Sequence, residues 1–234
     1  MRPTLAQRAA AEFLGTLFLL TAVVGSGIMG DRLSSGNVAI ALLANSIATG
    51  CALVALILAF GPISGAHFNP AVTLAAAWHR DLAWREAPIY IAIQIVGALA
   101  GVAVAHLMFG ETIFLVSAHS RSGPAQAFSE FIATFGLLAV ILGCSRSRAA
   151  AVPYAVGAYI TGAYWFTSST SFANPAVTLA RAATHTFSGI RPIDVPAFVM
   201  AQLIGASAAV LIVHWLVLDR SAAPPLVDSV SPKP

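Results

Sequence analysis

Apolar residues run in long blocks along the chain, separated by short stretches that carry nearly all of the charge. Six blocks, at 10–29, 38–60, 88–109, 125–143, 149–166 and 195–218, are long enough to cross a hydrocarbon core of about 30 Å, which takes roughly 20 helical residues. Six membrane spans are therefore predicted. Two further apolar runs, 71–78 and 176–183, lie in the loops 61–86 and 167–194 and read as helices too brief to cross. The first block follows Arg2 and Arg8 as a signal peptide would, but it is too long for the apolar core of one and contains Glu12.

Composition agrees with a polytopic membrane protein. Hydrophobic residues make up 58% of the 234 and charged residues 9%, against about a quarter charged in soluble domains. Arg2, Arg8, Arg80, Arg85, Arg146, Arg148, Arg220 and Lys233 fall on one side of the six spans, and Arg32, Arg121, Arg181 and Arg191 on the other. That excess places both termini in the cytoplasm and the protein in the inner (plasma) membrane. The net charge of +3 comes from these loop residues with no basic patch, so nucleic acid is not a partner. Cys51 and Cys144 both lie within spans, which argues against a disulfide framework and reads as small core residues. The tail from Ser221 is rich in proline and serine and reads as disordered.

The same seven residues, Asn-Pro-Ala-Val-Thr-Leu-Ala, occur at 69–75 and at 174–180, each copy opening one of the brief helices. The repeat extends through each half of the chain. Glu12, Phe13 and Thr16 match Glu130, Phe131 and Thr134, and Gln94, Gly97, Ala98 and His106 match Gln202, Gly205, Ala206 and His214. Each half (about 8–110 and 125–218) holds three spans, an odd number, so the second half enters the membrane from the opposite face. The repeats are inverted within a single membrane domain, 1–234.

Pro70 and Pro175 suit the first helical position, with Asn69 and Asn174 as N-caps. Half-helices starting at these caps and dipping in from both faces would meet near the midplane, their positive ends aimed at one place. Non-helical backbone at that depth must be buried or line a watery cavity. The pattern points to a pore with two asparagine amides at its centre.

These features together resemble the aquaporin, or major intrinsic protein, family over residues 8–218: the paired Asn-Pro-Ala boxes (Asn69, Pro70, Ala71; Asn174, Pro175, Ala176), the run Ser64-Gly65-Ala66-His67-Phe68, the opening Ala-Glu-Phe-Leu-Gly-Thr, and the helices of Gln94 and Gln202. The resemblance implies an all-α membrane fold, a right-handed bundle of six transmembrane helices plus two re-entrant half-helices, with one pore per protomer in a homotetramer. It implies that Glu12 and Glu130 brace the loop backbones and that Ala66, His67 and Phe68 offer pore-lining carbonyls. His106 and His214 read as interfacial caps. Two half-helix N-termini, each worth about +0.5 charge, would repel cations and orient a hydroxyl oxygen toward the asparagines. No carboxylate pair, metal-ligand cluster or nucleophile with its base lies in the repeat core, so the chain reads as a passive facilitator, with no metal or cofactor implied and no enzymatic activity.

One position departs from the family pattern. Most members carry arginine directly after the second Asn-Pro-Ala; here it is Val177, and the first arginine is Arg181, four residues or about 6 Å farther along the same helical face. Spacing to the boxes places Thr49, Ser171 and Gly162 (Thr161 by the repeat alignment) at the other filter positions. A ring of Thr49, Gly162, Ser171 and Val177 is small-sided and predicts a wide constriction. It resembles a bacterial branch linked to arsenic resistance, which implies conduction of arsenite and antimonite as neutral hydroxides, with glycerol or urea and some water. Arg181 reads either as a mouth charge drawing anionic solutes or as a loop anchor. Tyr164, Trp165, Phe166 and Phe172 read as packing groups rather than mouth lining. The alternatives are an ordinary water channel, a glycerol facilitator, or a non-conducting structural protein of the membrane.

Overall fold

The computed structural model describes residues 3–218, which form helices and loops with no strand. The tail from Ser221 and the charges Arg2, Arg220 and Lys233 lie outside the described residues. Helix α1 (Leu5–Leu33) opens on a capping box in which Thr4 accepts from the Gln7 amide at 3.3 Å and Gln7 accepts from the Thr4 amide at 2.8 Å. Helix α2 (Val38–Ser64) runs past Pro62 and stops at Gly65, whose φ of +90° only glycine adopts freely. The half-helix α3 (Pro70–Trp78) follows, then α4 (Ala87–Phe109) and α5 (Pro124–Ser147). A 3-10 turn (Ala149–Ala151) leads into α6 (Val152–Phe166), the half-helix α7 (Pro175–Arg181), a second 3-10 turn (Pro192–Asp194) and α8 (Val195–Leu218).

Five of these helices are long and apolar enough to cross a membrane by themselves. The fifth span in chain order is the exception. Block 149–166 folds as a turn of 3-10 helix plus only 15 α-helical residues. The tighter turn rises about 2 Å per residue, so together they still reach about 28 Å.

Close helix crossings fall where the sequence repeats. A Cβ added at Gly97 on α4 would collide with the Phe13 carbonyl on α1, and one at Gly205 on α8 with the Phe131 carbonyl on α5. Each half is thus closed by the same glycine contact. The halves join where α2 meets α6, and a Cβ at Gly50 would meet the Gly157 carbonyl just as one at Gly157 would meet that of Gly50. Cys51 is exposed and Cys144 half-buried, so neither is the core residue that its place in an apolar block suggested.

Candidate functional site

Both half-helices begin at a proline fixed at the first helical position and an asparagine cap. The Asn69 carbonyl oxygen accepts from the Ala71 amide at 2.9 Å, and that of Asn174 from Ala176 and Val177 at 3.0 and 3.3 Å. Each side-chain NH2 reaches across the midplane: Asn69 donates to the Ala173 carbonyl and Asn174 to the Phe68 carbonyl, both at 2.7 Å. An amide has two N–H donors. One is spent on the opposite half, and the second is available to the cavity that both asparagines line.

The segments before the caps are held out of helical geometry. Ala66, Phe68, Thr170, Ser171 and Ala173 all have φ between 48° and 62°, a left-handed conformation that costs a non-glycine residue energy and persists only under external constraint. Two buried carboxylates supply it. Glu12 accepts from the Ser64 hydroxyl, the His67 and Phe68 amides and the Gln94 side chain at 2.7, 2.9, 2.7 and 2.8 Å. Glu130 accepts from the Phe172 and Ala173 amides at 2.9 Å each and from Gln202 at 2.6 Å. With the amides turned toward the glutamates, the carbonyls of these segments turn the other way, along the cavity. Gln94 and Gln202 continue to Thr73 and Thr178 at 2.9 and 2.8 Å, so the same brace is built in each half.

The cavity holds about 250 Å³ and passes both asparagines, Ala66, His67 and Phe68. Its outer part is closed by Thr49, Tyr164, Phe172, Val177 and Arg181. Ser171 is also in the lining, buried, and its hydroxyl has no partner among the described residues.

Gly162 is not in this ring, and neither is Thr161. The cavity side of α6 is the stripe Val152, Val156, Ile160 and Tyr164, spaced by four. Gly162, two residues from Ile160, points to the opposite side of the helix and is exposed. Thr161 packs over Gly50 and donates to the Gly157 carbonyl at 2.8 Å. Spacing to the Asn-Pro-Ala box selected Gly162 because a count back across the non-helical stretch between α6 and α7 does not report which face of α6 a residue lies on. Tyr164 takes the place instead, its hydroxyl 3.2 Å from that of Thr49. The constriction is therefore not small on every side, and a phenol occupies one wall.

Arg181 is buried, with 2% of its surface exposed. Its guanidinium lies 3.4 Å from the centre of the Phe172 ring, and its Nε donates to the Ser188 carbonyl. It anchors the loop and lines the cavity at once. A second arginine, which the sequence showed only as a loop charge, packs behind this lining. Arg121 donates to the carbonyls of Gly189, Ser169 and Phe187 at 2.8, 3.2 and 3.4 Å and lies 5.1 Å from the centre of the Phe172 ring. Its partners are 48 to 68 positions away, so no local signal could have revealed it. Burial lowers the Arg121 guanidinium below its ordinary value, and burial together with Arg121, Arg181 and His185 lowers His119 beside it. His106 is buried with Nε2 2.7 Å from the Thr184 hydroxyl, while the His214 ring lies 6.4 Å from that of His79, tilted by 51°.

A family model described as Major intrinsic protein matches residues 1–163 and 144–233. The chain is 53% identical over 229 residues to the aquaglyceroporin AqpS of Rhizobium meliloti (strain 1021), covering 98% of this chain and 97% of that protein. It is 38% identical over 146 residues to aquaporin NIP1-1 of Oryza sativa subsp. japonica, 62% of this chain and 50% of that relative. Among solved structures, the aquaglyceroporin from Plasmodium falciparum superposes with a TM-score of 0.74 over 89% of this chain and 95% of that one, at 20% identity, which is a likeness of fold.

Proposed function

The chain belongs to the major intrinsic protein family, and from that premise we propose that its cavity conducts small polyol-like solutes, glycerol and the neutral hydroxides arsenite and antimonite, with some water. The protein is a multi-pass membrane channel of the passive kind and not an enzyme. The observation that carries the solute reading is the mixed lining of the outer constriction. Thr49 and Tyr164 bring hydroxyls to it and Val177 brings an apolar side chain. Glycerol has hydroxyls along one edge and carbons along the other. Arsenous acid is a pyramid with three hydroxyls on one face and a lone pair on the opposite face. Both replace hydration by the hydroxyl side while their poorly hydrated side meets the apolar wall.

In this reading Ser171 and the carbonyls of Ala66, His67 and Phe68 continue the polar line, and Asn69 and Asn174 donate at its centre. The buried guanidiniums of Arg181 and Arg121 supply the cation barrier that Val177 does not. We also propose a homotetramer in the inner membrane with both termini cytoplasmic. Among the described residues, Arg8, Arg80, Arg85, Arg146 and Arg148 lie on the N-terminal face against Arg32, Arg121, Arg181 and Arg191 on the other, and two of those four are buried.

A flux panel of water, glycerol, urea and arsenite in proteoliposomes tests the proposal. Glycerol and arsenite should pass well above protein-free vesicles; high water flux with both at background would overturn it. Val177→Arg should lower glycerol and arsenite flux by at least roughly tenfold, a barrier of about 1.4 kcal/mol, while water changes much less. Equal flux in that variant would place the selective constriction elsewhere.

A further inference from the structure

A second cavity, of about 310 Å³, lies on the outside of the bundle. It is a groove between the half-helix α3 and α8, walled by Leu74 and Trp78 on one side, by Leu203, Val210 and Leu211 on the other, and by Trp84 from the loop between α3 and α4. Its origin is geometric. A nine-residue helix covers only half the depth of the membrane and is too slender to fill the space that a full span would occupy beside α8.

Three observations define what fills it. First, the groove belongs to a membrane-spanning chain and is lined almost wholly by hydrocarbon, so its natural occupant is apolar. Second, it runs from Leu203 to Leu211, about 12 Å of helix, which approaches the roughly 15 Å depth of one leaflet. Third, its end at the N-terminal face carries the marks of a headgroup region. Trp78 and Trp84 are both more than half exposed there, as interfacial tryptophans are. The adjacent Arg80 and Arg85 are exposed and in no ion pair among the described residues; of the neighbouring carboxylates, Glu86 pairs with Arg8 and Asp81 is exposed.

We propose that this groove is a binding site for one acyl chain of an anionic glycerophospholipid in the leaflet on the N-terminal face, its headgroup held by Arg80 and Arg85. The groove lies behind the wall of the conducting path. Ala75 of α3 belongs to the lining of both cavities, and Val72 and Ala76 face the pore while Leu74 and Trp78 face the groove. A bound chain therefore supports the half-helix that positions Asn69. Each arginine near an anionic lipid surface is worth roughly a fivefold gain in local binding, so the site prefers anionic over zwitterionic lipid several-fold.

The test uses the tryptophans as reporters. Of the four in the chain, Trp165 and Trp215 are replaced by phenylalanine, leaving Trp78 and Trp84 at the groove. The protein is reconstituted in phosphatidylcholine containing a minor fraction of lipid brominated on its acyl chains, as either phosphatidylglycerol or phosphatidylcholine. Brominated phosphatidylglycerol should quench several-fold more than brominated phosphatidylcholine. Arg80→Asn with Arg85→Gln, both at exposed turn positions, should bring the two lipids level. Ser207→Phe, which fills the groove from α8, should remove the excess while leaving general annular quenching. Equal quenching by the two lipids in the starting protein would overturn the proposal, as would an excess that survives either variant. Elution as a single species after detergent extraction controls for folding.

Discussion

At the scale of single residues, Tyr164 and Val177 show how far one side chain can move a pore's character. Val177 was legible, because it stands at a fixed offset from a motif that cannot slide. Tyr164 was not, since spacing along the sequence does not report helical phase across a loop. If the phenol sets the size limit, Tyr164→Ala should raise the flux of a four- or five-carbon polyol several-fold, whereas Tyr164→Phe should leave it within about twofold, because only a hydroxyl is removed. Larger-polyol flux unchanged by Tyr164→Ala would locate the limit at another ring. His119 gives a second prediction at this scale. Its ordinary value is 6.5, and the folded protein holds it lower. The unfolded chain therefore takes up the proton first as pH falls, and native stability declines with acidification through the range just below 6.5. Thermal unfolding in detergent should show this loss as the pH is lowered through 6.5, and His119→Gln should flatten part of it. A slope unaltered by the substitution would remove His119 from the account.

The elements are held by the repeat rather than by their own propensity. Half-helices of nine and seven residues are too short to persist alone. They stand because each begins at a proline and a capping asparagine and because a carboxylate fixes the backbone leading into it. Glu12 receives four donors and Glu130 three, an arrangement that uses a carboxylate purely as acceptor. Glutamine in place of either would present an NH2 to donors. Glu12→Gln should cost on the order of 3 kcal/mol and Glu130→Gln somewhat less, read as a lowered unfolding temperature with flux reduced in parallel. A variant as stable and as conductive as the parent would show that the loops hold their left-handed residues without help. Both glutamates, both asparagines and the crossing glycines Gly97 and Gly205 were visible in the sequence because duplication marks them twice. Arg121 has no counterpart in the first half and acts through carbonyls brought near only by folding, so nothing in the sequence set it apart from the other loop charges.

For the whole molecule, each half supplies a hydrogen-bond partner that the other's half-helix cap lacks. Asn69 donates to the Ala173 carbonyl 104 positions away, and Asn174 to the Phe68 carbonyl 106 positions away. The order in which these contacts can close follows from those separations. When the first half has left the ribosome, its capped half-helix faces no partner, and the Phe68 carbonyl lacks the donor that satisfies it in the finished protein. The channel cannot mature segment by segment as translation proceeds. It closes late, when the second box arrives from the opposite side of the bilayer, and until then the nascent chain is a membrane protein with an unsealed seam.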